Sequence, residues 1–134
     1  MSPEMPAEPN LDEETLATIE RGFAEFNSGK FFECHDTLED VWRGIRGPSR
    51  DFFQGLIQIS VAFYHLRNGN LTGSRSQLEK ALENLSDYGD SYAGMDLAIL
   101  RREVQSWLDK VVSGQDLRCS VSALPKFGFQ KRTG

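Results

Sequence analysis

Cysteine is nearly absent from this chain, with two in 134 residues, and histidine is equally scarce. Cys34 and Cys119 form no Cys-x-x-Cys spacing and are too few to staple a small fold, so nothing indicates a disulfide framework or a cysteine-rich zinc site. Long apolar runs are missing too. The longest is interrupted by Gln58, Ser60 and His65 and falls short of the roughly 20 residues that span a bilayer. Basic charge is in deficit: 15 Lys and Arg against 20 Asp and Glu leave a formal net charge of −5. That balance disfavours the clustered positive surface on which sequence-independent nucleic-acid binding depends. Met1 to Asn10 is acidic and proline-rich, without the apolar core of a secretory signal. Together these absences predict no nucleic-acid partner, no membrane partner and a cytoplasmic setting.

The residues that are present read as a globular domain. Hydrophobic residues make up 39% and charged residues 26%, and the length suffices for one domain to bury a core without covalent help. Leu16, Ile19, Phe23 and Phe26 recur at helical spacing, with Asn10 as the expected N-cap and Glu13 completing a capping box. After the breaker Asn27-Ser28-Gly29, the positions Phe31, Cys34, Leu38, Val41 and Ile45 mark a second helix that runs to the loop Gly44 to Pro48. A third helix, about Arg50 to Arg67 with Ser49 as cap, is apolar nearly all round and should be the central element. Asn68-Gly69-Asn70 ends it. Leu78, Ala81, Leu82 and Leu85 define a fourth helix, Tyr88 to Met95 a loop, and Asp96 the cap of a fifth helix carrying Leu97, Leu100, Val104, Trp107, Leu108 and Val111.

The expectation is therefore an all-α bundle of about five helices. Residues 1–10 are expected to be flexible, 11–113 to form the helical domain, and 114–134 to be a non-helical tail docked over Leu124 to Phe129 by its aromatics. An offset of forty residues pairs Ile19 with Ile59, Phe23 with Phe63, Gly29 with Gly69 and Leu38 with Leu78. Two stacked helical hairpins, related by duplication or only by shared amphipathicity, would produce that pattern.

Both histidines fall where helical phase brings polar groups together. His35 and Glu39 share one face of the second helix, with Trp42 beside them; Gln54, Gln58 and His65 share one face of the third. Three readings compete. As a metal site, His35, Glu39 and His65 would be the ligands, but glutamines stand where helix-bundle metal sites place carboxylates, so no metal is assigned. As an acid–base site, Glu39 or Glu33 would orient His35 or His65 for proton transfer while Gln54 and Gln58 hold a polar substrate. As a structural element, His35, Glu39, Gln54, Gln58 and His65 would form one buried hydrogen-bond network.

Cys34 lies on the apolar side of its helix and reads as a small buried hydrophobe; the rival reading, a nucleophile served by His35, is handicapped because adjacent helical residues point about 100° apart. Arg43, Arg46 and Arg50 around Gly44 and Gly47 are either an anion-binding corner or surface partners of Asp40 and Asp51.

At these positions the chain resembles a family of bacterial, archaeal and plastid-lineage proteins, domain of unknown function 309. The resemblance runs through Phe26-Asn27-x-Gly29, Phe32-Glu33-x-His35-Asp36-x-Leu38-Glu39-x-x-Trp42, Arg50-x-Phe52-x-Gln54-Gly55-Leu56-Ile57-Gln58, Tyr64-His65, Gly69-Asn70 and Gly94-x-Asp96-Leu97, roughly residues 16 to 112. Asp36 stands where the family commonly has Glu. The resemblance implies a compact all-α bundle and a motif concentrated on Glu33, His35, Glu39, Gln54, Gln58 and His65, with Trp42 and Arg50; it supplies neither reaction nor cofactor. The expected site is one pocket for a small polar or anionic molecule, with His35, Glu39 and His65 as candidate catalytic groups and Glu33, Trp42, Arg50, Gln54 and Gln58 as candidate binding groups. The alternative is a noncatalytic interaction or scaffold module, and a homo-oligomer is compatible with either.

Overall fold

The computed structural model describes residues 6–114 and 125–128. Within them the chain forms α1 (Glu13–Asn27), α2 (Phe31–Arg43), α3 (Arg50–Arg67), α4 (Leu71–Leu85) and α5 (Leu97–Val112), with a short antiparallel ribbon of β1 (Ser91–Tyr92) and β2 (Met95–Asp96) ahead of α5. The fold class is the helical bundle expected. Among the described residues no helix is long and apolar enough to cross a membrane.

α3 is the central element. Phe52, Phe53, Leu56, Ile59, Ala62 and Phe63 are almost wholly buried, with α2 packed on one side of the helix and α4 on the other. Close approach to α4 depends on Gly55, where a Cβ would stand 2.9 Å from Leu85 Cγ. Phe63 meets Phe26 and Phe31 of the first hairpin and Trp107 of α5, all with ring centroids under 6 Å apart, so one aromatic cluster joins four helices.

The forty-residue offset is visible in the backbone. Gly29 and Gly69 each adopt φ +79° after a helix end. The amides of Gly29 and Lys30 bond the carbonyls of Phe26 and Glu25, and those of Gly69 and Asn70 bond Leu66 and His65, at matching distances. Ile19 and Ile59, Phe23 and Phe63, and Leu38 and Leu78 are all buried. α1–α2 and α3–α4 are thus two helical hairpins built on the same turn.

Two local expectations are corrected. Asp12, not Asn10, caps α1: its carboxylate accepts from Thr15 N at 2.8 Å, and the helix begins at Glu13, so the proposed capping box does not form. The stretch read as a plain loop from Tyr88 to Met95 contains the ribbon, turned by Ala93 (φ 50°) and Gly94 (φ 76°), two successive left-handed residues of the kind a tight hairpin needs. Four side chains are too few to show an alternating pattern. As expected, Asp96 caps α5, through Ile99 N.

Arginines close the helix ends. Arg101 donates to the carbonyls of Leu85, Tyr88 and Gly89 at and just past the end of α4, and Arg50 donates to those of Trp42, in the last turn of α2, and Ile45 beyond it. Of the N-terminal segment, residues 6–10 are described: Ala7 O accepts from Tyr92 OH, and Glu8 accepts from Ala93 N. Of the C-terminal one, Phe127 is buried, stacked on Phe26 at 3.9 Å and bonded through both its backbone groups to the Asn27 side chain. Leu124, Phe129 and Cys119 lie outside the described residues.

Candidate functional site

α2 and α3 meet along their apolar faces, and the polar strips that flank those faces border an open depression of about 280 Å³. His35, Glu39 and Trp42 line it from α2, and Gln54, Ile57, Gln58 and Val61 from α3. Gln77 of α4 completes the wall. Five of the eight proposed residues therefore converge. His35 and Glu39 are only part-buried, with side chains 27% and 31% exposed.

The His35 ring is held within its own helix. Nε2 lies 3.0 Å from Glu39 Oε2 and Nδ1 lies 3.2 Å from Asp36 Oδ1, so both nitrogens face carboxylates. Glu39 offers its other oxygen to Arg43 at 2.9 Å. On the opposite wall Gln58 Oε1 accepts from Asn84 of α4 at 2.8 Å. Among the described residues no hydrogen bond runs from the α2 strip to the α3 glutamines. The single buried network expected as the structural alternative is thus replaced by two separate pairings with space between them.

The other three proposed residues lie elsewhere. His65 lines an adjoining apolar depression of about 140 Å³ with Phe31, Phe32, His35, Val61 and Tyr64, and its Nδ1 sits 3.4 Å from the Asn70 amide. It shares a helix face with Gln54, but eleven residues of rise place it about 16 Å further along the axis. Glu33 is exposed and lines neither depression, because two residues of helix turn it some 200° from His35. Arg50 stacks on Trp42 with its guanidinium carbon 3.8 Å from the ring centroid, and spends its Nη1 donors on the carbonyls that end α2.

The arginines of the expected anion-binding corner each have partners of their own. Arg43 pairs with Glu39 and Asp40, and Arg46 reaches the carbonyls of Arg43 and Ile45. The metal reading loses its third ligand with His65, and among the described residues no three His, Cys, Asp or Glu side chains are grouped to hold an ion. Cys34 is fully buried, and burial pushes its thiol up to about 12, which ends the nucleophile reading.

Gln77 and Asn84 were not anticipated. Their seven-residue spacing puts both on one flank of the buried Leu78, Ala81 and Leu85 stripe, a signal that helical phase alone could have given. A larger groove, about 580 Å³, runs between the start of α1 and the end of α2, lined by Asp12, Glu14 and Asp40 among others. Asp12 is occupied as a cap, its carboxyl held below the usual range by the Thr15 hydrogen bonds, and Asp40 by Arg43.

Residues 19–77 match the family model for domain of unknown function DUF309. The DUF309 stretch runs from the middle of α1 into α4 and contains His35, Glu39, Trp42, Gln54, Gln58 and His65, as the motif resemblance implied; Gly94, Asp96 and Leu97 lie beyond it. An uncharacterized protein of Aquifex aeolicus (strain VF5) is 24% identical over 93 residues, 69% of this chain and 27% of that protein. The uncharacterized protein YpuF of Bacillus subtilis (strain 168) is 33% identical over 63 residues, 46% of this chain and 36% of its own length. The matches thus span between about a quarter and about a third of these relatives.

Proposed function

We propose that the depression between α2 and α3 is a binding site for a small polar molecule, neutral or basic, in a cytosolic protein. The observation that carries this reading is the open space between two polar walls, His35–Glu39 and Gln54–Gln58, with no bond across it. The Gln54 side-chain amide, and the Gln58 amide nitrogen, face the space and offer donors and an acceptor to a ligand. An anion is the poorer guest, because the carboxylates Glu39 and Asp36 line or border the site, Arg46 and Arg50 are committed to backbone carbonyls, and Arg43 pairs with Glu39 itself.

A thermal-shift screen of neutral and basic metabolites tests the reading. At least one compound should raise the melting temperature of the parent, and Gln54→Ala should abolish that shift while leaving the unliganded melting temperature within a degree or so. If Gln54→Ala and His35→Ala both melt early and no compound shifts the parent, these groups serve packing only.

A second reading, a noncatalytic interaction module, is favoured by two observations: the limited share of the relatives' length matched, and Phe32 standing 50% exposed beside the depression. It expects no small-molecule shift at all.

A further inference from the structure

The two depressions along α2 and α3 share His35 and Val61, so they are adjoining halves of one groove with different chemistry. The first half is apolar and aromatic. Phe32 lies against Tyr64 at 5.6 Å and against the His35 ring at 5.9 Å, and Phe31, Val61 and His65 complete its lining. Its volume, about 140 Å³, suits a short hydrocarbon stem rather than a folded partner. The second half, one His35 ring away, holds the Glu39 carboxylate and the amides of Gln54 and Gln77.

Resting on the reading above, we infer that the ligand class is an organic ammonium: an alkyl or arylalkyl amine whose stem fills the aromatic half and whose charged head meets Glu39. Three observations converge on that chemistry. An ammonium has three donors and no acceptor, and the second half offers a carboxylate and two amide oxygens as acceptors. The rings of Phe31, Phe32 and Tyr64 give a hydrocarbon stem an apolar lining beside that head site. The charges bordering the groove on α2 are Asp36 and Glu39, with the exposed Glu33 beyond. The cation that shares Glu39, Arg43, is 63% exposed, and an exposed pair of this kind contributes little, so the carboxylate is open to exchange. The head would replace the His35 Nε2 contact on Glu39 Oε2, leaving His35 paired with Asp36.

The groups that face His35 are Asp36 and Glu39 on its own helix and Tyr64 and His65 on α3; Gln77 on α4 is neutral. Charge selection therefore rests on the two carboxylates.

The test is a titration of the full chain followed by backbone amide NMR, with three probes of one stem: n-butylammonium, n-butanol and butyrate. Butylammonium should shift the Phe32, His35, Glu39 and Gln54 amides and bind at least tenfold more tightly than butanol, with butyrate weakest. Glu39→Gln should reduce that preference for ammonium over butanol at least fivefold, and Asp36→Asn by less; Phe32→Ala should weaken ammonium and butanol alike. Butanol binding as well as butylammonium at these residues would overturn the cation and keep the pocket. Silence of all three at these residues would overturn both.

Discussion

Cys34 sits between α2 and α3 with no exposed surface, in a setting that favours the neutral thiol, and this gives it a measurable signature. Its ionisation is pushed from an ordinary 9.0 up to about 12 by burial. Tyr92 is raised in the same direction, from 10.0 to about 12, by burial and then by Tyr88 and Glu8. Between the unfolded and folded values the unfolded chain releases protons that the folded chain retains, so stability is whole below about pH 9 and declines as pH rises towards 12. Urea midpoints should fall over that interval, and Cys34→Ala, though less stable at neutral pH, should show a shallower fall. An unchanged slope would mean that Cys34 ionises as freely folded as unfolded. In the native state iodoacetamide should leave the Cys34 peptide unmodified until denaturant is added.

The two turns that close the helical hairpins make a paired prediction. Gly29 and Gly69 share φ +79°, a conformation that costs a side chain about 1–2 kcal/mol, and a Cβ at either would meet nothing within 4 Å. Gly29→Ala and Gly69→Ala should each lose about 1 kcal/mol by chemical denaturation, through backbone strain alone. Gly44, a C-cap with φ −90° and ordinary space around it, is the control and should change by under about 0.5 kcal/mol on replacement by alanine. At this scale the sequence was most legible: five helices and the α3 span follow from apolar periodicity, and the turns from their glycines. Helix starts were less so. Asn10 and Asp12 are both good cap residues, and only the chain path against the rest of the molecule selects Asp12. The site was half legible for a geometric reason: periodicity reports the face of a helix and says nothing of height along it. Thus His35 and Glu39 line one depression with Gln54 and Gln58, while His65, on the right face, lies beyond it. Arg50 lies outside the depression for another reason: its partners are backbone carbonyls that no residue pattern advertises.

Across the whole molecule, residues 125–128 meet the bundle at a seam with the end of α1. Phe127 stacks on Phe26 and contacts Phe23 edge-on, and Asn27 bonds its backbone N–H and C=O at 2.9 and 2.7 Å. Phe127→Ala should cost about 3 kcal/mol, the lower end of the usual range for a buried phenylalanine, with helical circular dichroism retained at low temperature. Asn27→Ala should cost about 1–2 kcal/mol, and the double variant should lose less than the sum of the two, because both act on one contact. Strict additivity would show that the stack and the hydrogen bonds are independent.

That seam has a kinetic meaning. Most helix contacts lie between neighbours in sequence, a low-contact-order arrangement that forms quickly. The Asn27–Phe127 contact spans 100 residues of sequence with α2 through α5 between its ends, so its loop-closure cost is high until those helices have formed. It should therefore have little weight in the folding transition state and act chiefly on the unfolding rate, as a brake on opening and not as a guide to assembly.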